Sequence, residues 1–298
     1  MSRTYKATGI ILKAIPLGES DRLLTILTPE FGLMRVVAPG ARKSRSRLGG
    51  TTGLFVVNQW LIAKGRSLDK ITQAEIINSH SGLAKNLGKL AAGQYLAELV
   101  LSQALSEQPQ PELFLLLSEH LDRLEELPNT STEENAIDIV ARLTHGIFHL
   151  LAWAGIAPQV QLCCLTQHPL NPNLSDPNWL VGFSLAAGGI INLAALSRIQ
   201  SQHNDHQSSS VSEASGDYLT EEISIKIDAR IAAEPLAILQ HLAQSELTNI
   251  WNTYQPSAWI TVEKILRRYA EYQFARSIQS ASLIDSWLLN CSPSDCCK

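Results

Sequence analysis

The chain has 298 residues, 45% of them hydrophobic and 17% charged, with a net charge of −4. That length serves two or three domains with cores of their own and excludes a peptide that needs covalent staples, and a charge so close to balance announces no polyanionic partner. The average conceals an asymmetry: residues 1–80 hold twelve Lys and Arg against five Asp and Glu, a balance of +7, and the rest of the chain stands at −11. A basic front on an acidic body predicts that a polyanion meets the N-terminal part.

From Tyr5 to Ile77 short runs rich in Ile, Leu, Val and Thr alternate with turn residues, as in an antiparallel β-domain. Five strands are expected, at Tyr5–Ile15, Arg22–Thr28, Leu33–Ala38, Leu54–Lys64 and Leu68–Ile77. Five strands in so short a span are best satisfied by a closed barrel, which leaves no bare edge, and the five-stranded OB-fold is the usual solution. The connection from Pro39 to Gly53, PGARKSRSRLGGTTG, reads as too polar to pack.

After Ser79 the period changes to a helical one. Leu83, Leu87 and Leu90 begin one helix; Leu113, Leu116, Leu117, Leu121 and Leu124 stripe a second; Ala136, Ile139, Val140, Leu143, Ile147, Leu150 and Leu151 stripe a third, capped by Ser131 or Thr132. From Ile156 to Leu196 no period survives, and Gln200–Asp217 is a polar, low-complexity stretch expected to be disordered. Helical spacing returns beyond Pro235 and places Trp259, Val262, Ile265, Leu266, Tyr269 and Tyr272 on one face. The expected fold class is therefore α+β. Its parts are a barrel at 1–80, helices at 81–155, a loop-rich insert and low-complexity segment at 156–217, closing helices at 218–288, and a tail at 289–298.

Arg42, Lys43, Arg45 and Arg47 put four bases into six residues of the Gly- and Ser-flanked connection, a loop able to lay its side chains along phosphates and release condensed counterions. Arg35, Arg22 and Lys64 can extend the track. Stacking aromatics are scarce: Tyr5 and Phe31 are available, while Phe55 and Trp60 are expected in the core. Binding should therefore be dominated by the backbone and be strongly salt-dependent. Lys264, Arg267 and Arg268 are read as a solvated, salt-bridged helix face with Glu263 and Glu271.

Enzymatic chemistry finds little support. His145 and His149 stand four apart, but Gly146, Ile147 and Phe148 supply no Glu between them, so the pair is read as structural. Cys163 and Cys164 with His168 lack the paired cysteines that a closed zinc site wants and are read as free thiols, and no phosphate-cradling loop is found. No metal, cofactor or catalytic residue is expected. The five cysteines form no disulfide framework, no signal peptide is read at the N-terminus, and the apolar stretch Gly146–Ala157 is too short for the roughly 20 residues of a bilayer span. These features predict a cytoplasmic protein with no membrane segment.

Three motifs in order complete the reading: Gly18-Glu19-Ser20-Asp21-Arg22-Leu23, Thr28-Pro29-Glu30-Phe31-Gly32, and Pro39-Gly40-Ala41-Arg42-Lys43-Ser44-Arg45. The pattern resembles the RecO family of bacterial recombination mediators and DNA repair proteins. Behind it, Leu150–Cys164, Gly182–Gly189 and Leu266-Arg267-Arg268-Tyr269 are similar to the same family. The resemblance implies an OB-fold followed by a helical domain that binds single- and double-stranded DNA and anneals complementary strands. It also implies that RecR and the single-stranded-DNA-binding protein are partners, so that RecA loads indirectly, without covalent catalysis. The family's DNA contacts map to Arg42, Lys43 and Arg45, with Arg35 nearby. Many members hold zinc with two cysteine pairs. Here Gly188-Gly189 is followed by Ile190, Ile191, Asn192 and Leu193, so the site is expected to be degenerate and filled by apolar packing. The alternatives are an RNA-binding or ribosome-associated OB module and a metal-dependent hydrolase using His145 and His149.

Overall fold

A computed structural model of the chain describes residues 4–130, 132–207, 225–244 and 253–291. Five strands, β1 (Thr4–Leu17), β2 (Asp21–Thr28), β3 (Gly32–Ala38), β4 (Val56–Ala63) and β5 (Asp69–Ser79), close into a barrel in the order β1-β2-β3-β5-β4. The first strand is long because it serves two neighbours. Its first half pairs antiparallel with β4 from Thr4↔Ala63 to Ile10↔Val57, and its second half pairs with β2, across a register shift between Ile11 and Lys13. Such a bulge bends a strand and increases its twist, which lets one strand turn the corner of a small barrel. A short parallel pairing of β3 with β5, Val36↔Asp69 and Val37↔Lys70, closes the ring. Ile11, Leu24, Ile26, Val36, Trp60, Ile62 and Ile71 fill it. This strand order is that of an OB-fold, reached within a residue or two of the expected boundaries.

The packing divides the chain into two compact units, Met1–Ala154 with Ser277–Lys298, and Gly155–Arg276. In the first, the barrel is followed by α1 (Leu87–Gln103), α2 (Pro111–Glu125) and α3 (Glu133–Trp153), and α7 (Ala281–Cys291) packs on α1. Asn86 caps α1 by accepting from the Gly88 and Lys89 amides, and Thr132 caps α3 by accepting from that of Asn135; Ser131 lies outside the described residues. The expected stripes of α2 and α3 are buried, Leu116 being only partly so. Leu87 is 59% exposed, contrary to its expected place on a core stripe, because Leu83 is buried in a separate 3-10 turn, Ser81–Lys85. The barrel is tied to the α1–α2 connection at Gly32, where φ is +63° and a Cβ would stand 2.2 Å from the Leu105 carbonyl oxygen. Beside it the Leu33 amide donates to that same oxygen at 2.8 Å.

In the second unit the segment expected to be loop-rich holds two strands of a sheet, and the third comes from the region expected to form only closing helices. Strands β6 (Leu180–Ser184), β7 (Gly189–Ile191) and β8 (Ala229–Ala232) are arranged in the order β7-β6-β8, with α4 (Leu193–Gln207), α5 (Ala233–Leu242) and α6 (Pro256–Phe274). The hairpin turns at Gly188, φ +76°. Strands of three to five residues are too short for alternation to show against so many apolar neighbours. Of the stretch expected to be disordered, residues 200–207 are helical and 208–217 lie outside the described residues. On α6, Trp259, Val262, Ile265, Leu266 and Tyr269 are buried, whereas Tyr272 is exposed. Arg267 does not lie on a solvated face. It grips Glu263 through two hydrogen bonds of 2.9 and 2.8 Å, with side chains 14% and 3% exposed. Arg268 donates to the Asp228 carbonyl oxygen.

Candidate nucleic-acid interface

The connection between β3 and β4 is polar in composition, yet it packs. Ala41 turns inward at 3% exposure, Thr52 is fully buried, and Leu48 packs against the barrel core. Hydrogen bonds fasten its base. The Gly40 amide donates to Asp21 Oδ1 at 2.8 Å, and the Arg42 amide to the Ser20 carbonyl oxygen at 2.9 Å. Arg22 donates through its guanidinium to the Thr52 carbonyl and hydroxyl oxygens, and the Asn58 side chain to the Thr51 carbonyl oxygen. The Gly40 amide, followed by the Ser20 hydroxyl, holds the Asp21 carboxyl below the usual carboxylate range. The expectation of an unpacked loop is thus corrected: small and hydroxyl residues satisfy each other across tight turns, which composition does not reveal. Arg22 fastens the loop instead of extending the basic track.

What the tethered base presents outward is charge. Arg42, Lys43, Arg45 and Arg47 are all exposed, Arg42 also donating to the Gly18 carbonyl oxygen at 2.8 Å. None of the barrel's described cations makes an ion pair. Cations left without carboxylates on a fixed scaffold are what a phosphate backbone engages by releasing its counterions.

Arg35 lies elsewhere, exposed on β3 at the rim of a cleft of about 1300 Å³ that Tyr5, Phe31, Lys64 and Asp69 also line. Tyr5 donates its hydroxyl to Asp69 Oδ2 at 2.6 Å, and burial together with that carboxylate raises the Tyr5 pKa. The ring of Phe31, 37% exposed, meets Tyr5 edge-on with centroids 5.5 Å apart, and Lys64 Nζ stands 5.9 Å from the Tyr5 centroid. The structure therefore brings Arg35 to Lys64 and the two available aromatics, while the four loop bases are not among the residues lining the cleft. Phe55 and Trp60 are buried, at 1% and 0% exposure. The closeness of Tyr5 to Phe31 depends on the barrel's closure and has no local sequence signal.

In the second unit the Cys163 sulfur accepts the Asn192 amide at 3.2 Å, and Ile190 and Ile191 are fully buried where a second cysteine pair would stand. Leu193 reaches over Gly182. Among the described residues, neither Cys163 nor Cys164 belongs to a group of three possible metal ligands. The residues present do not fit a four-thiolate zinc site. No described helix is long and apolar enough to cross a membrane.

A closed five-stranded OB barrel with an unpaired basic loop and an aromatic cleft defines a nucleic-acid-binding protein built on an accessory helical body. Comparison with known proteins narrows the class. Residues 1–80 match the family model for the recombination protein O N terminal domain, and residues 84–223 that for its C terminal domain. The chain is 55% identical over 293 residues to the DNA repair protein RecO of a Nostoc species, covering 96% of this chain and 97% of that protein. It is 54% identical to the protein of that name from Nostoc punctiforme over 96% and 97% of the two chains, and 53% identical to that from Trichodesmium erythraeum over 98% of each. The chain belongs to the RecO family.

Proposed function

We propose that the chain is a DNA-binding recombination mediator of DNA repair that holds single and double strands through its barrel and anneals complementary strands. With RecR and the single-stranded-DNA-binding protein it helps a RecA-type recombinase to load, without covalent catalysis and in the cytoplasm. The observation that carries the reading is the loop of Arg42, Lys43, Arg45 and Arg47: four exposed cations, none ion-paired, on a base tethered by the Gly40–Asp21 and Arg22–Thr52 hydrogen bonds. Membership of a family whose named relatives are DNA repair proteins supports DNA as the polyanion. Arg35 and Lys64, beside Tyr5 and Phe31, supply a second place where a base can stack while its phosphate is neutralised.

The test is a salt titration of single-strand binding beside an annealing assay. With about five phosphate contacts, log affinity should fall against log salt with a slope near ~−3.5, and replacing the four loop bases by Ala should flatten it to about −0.7. A quadruple variant with an unchanged slope places the binding face elsewhere. Competition by an RNA of matched sequence should not exceed that of the DNA, because preference for RNA requires reading the 2′-hydroxyl.

A further inference from the structure

The helical body holds a cluster of ligand-bearing side chains that the DNA reading leaves unused. His145 and His149 rise from one face of α3, and α2 brings His120 against them; ring centroids stand 3.8 Å apart for His145–His149, 5.0 Å for His120–His145 and 5.2 Å for His120–His149. One nitrogen from each ring lies within 4.8 Å of those of the other two. His145 and His120 are buried, at 0% and 2% exposure, and His149 is half-buried. His120 Nε2 is enclosed with no hydrogen-bond partner. A buried acceptor or donor left alone costs free energy, so three imidazoles gathered with one nitrogen unsatisfied ask for a further participant.

We propose that His120, His145 and His149 form a binding site for one zinc-class divalent cation, clamping α2 to α3. The proposal is independent of the DNA reading. Imidazole nitrogens suit such ions, and three ligands leave a fourth position for water. With metal–nitrogen bonds near ~2.05 Å in tetrahedral geometry, ligand nitrogens sit about 3.4 Å apart. The Nε2 atoms of His145 and His149 are 2.8 Å apart, so they separate by roughly half an ångström while His120 closes in.

The hydrogen bonds state what must change. A guanidinium only donates, so Arg123, whose Nη1 lies 3.1 Å from His145 Nδ1, makes that nitrogen an acceptor. The His145 proton is then on Nε2 and is donated to Nε2 of His149, which presents a lone pair. A cation needs the His145 proton on Nδ1 and Arg123 withdrawn towards Glu119, with which it already pairs. Burial, followed by the neighbouring rings and Arg123, lowers the His145 pKa and brings that of His120 to about 3, so the rings are neutral as metal ligation requires. Arg123, with Arg142 as a weaker like-signed influence on His145, is the group that opposes the ion.

The full-length chain, stripped with a chelator and titrated with Co²⁺ alone, should take up one ion with visible absorption bands that Zn²⁺ abolishes, and its melting temperature should rise. His149→Ala, at the half-buried edge, should remove the bands, while the Cys163→Ser/Cys164→Ser double variant should keep them. Arg123→Gln should tighten binding by at least about tenfold by removing the opposing charge and the donor at Nδ1. No saturable uptake below about 0.1 mM Co²⁺ overturns the proposal. So do bands that vanish with the cysteines, or an affinity untouched by Arg123→Gln; the last comparison stands even where His149→Ala fails to fold.

Discussion

In the barrel, Arg42, Lys43, Arg45 and Arg47 stand exposed and make no ion pair, whereas in the Gly155–Arg276 unit Arg267 is held by Glu263 at 2.8 Å, the two side chains 14% and 3% exposed. Both clusters look alike in sequence, as bases at close spacing. Their surroundings separate them. A buried pair repays its desolvation only by internal bonding and serves the fold, while exposed cations without ion pairs on a fixed loop are left for a polyanion to engage.

Mutations that exchange the two behaviours should expose the contrast. The largest effect on folding is expected from Glu263→Gln, which neutralises the buried carboxylate that grips the Arg267 guanidinium and should cost about 3 to 5 kcal/mol in denaturant unfolding, with DNA affinity per folded molecule unchanged. The four loop bases changed to Ala should do the reverse, leaving the unfolding midpoint within about 0.5 kcal/mol while abolishing most of the salt-dependent affinity. Gly32→Ala should destabilise the first unit by more than about 1 kcal/mol, because φ is +63° and the new Cβ meets the Leu105 carbonyl oxygen. Phe31→Ala should weaken single-strand binding by about 1 to 3 kcal/mol with the salt slope intact, since a stacked base releases no counterions; an altered slope would assign Phe31 to positioning the cations instead.

The smallest effect concerns Asp21. Its pKa is depressed in the folded state, chiefly by the Gly40 amide. Its support of the loop is therefore present above the unfolded value near ~3.9 and is lost as pH falls through the folded one. Hydrogen-exchange protection of the Gly40 amide should weaken over that acid range, and Asp21→Asn should weaken it at neutral pH and flatten the dependence.

Alternation of apolar residues, the turn residues between the runs and the charge asymmetry of residues 1–80 made the barrel, its strand boundaries and its basic loop legible without coordinates. The α2 and α3 stripes were legible for the same reason: a period of two or 3.6 is a local property that survives in one dimension. Tertiary structure alone decided the rest. It tethered the polar loop by hydrogen bonds between residues up to thirty positions apart, such as Arg22 to Thr52. It drew the Cys163 sulfur to the Asn192 amide, and it folded a stretch without period into a hairpin to which distant Ala229–Ala232 adds a third strand. It also added His120 to a pair that sequence spacing had marked only as two. In each case the partner is distant along the chain, and only closure of the barrel, the hairpin or the helix pair brings it near.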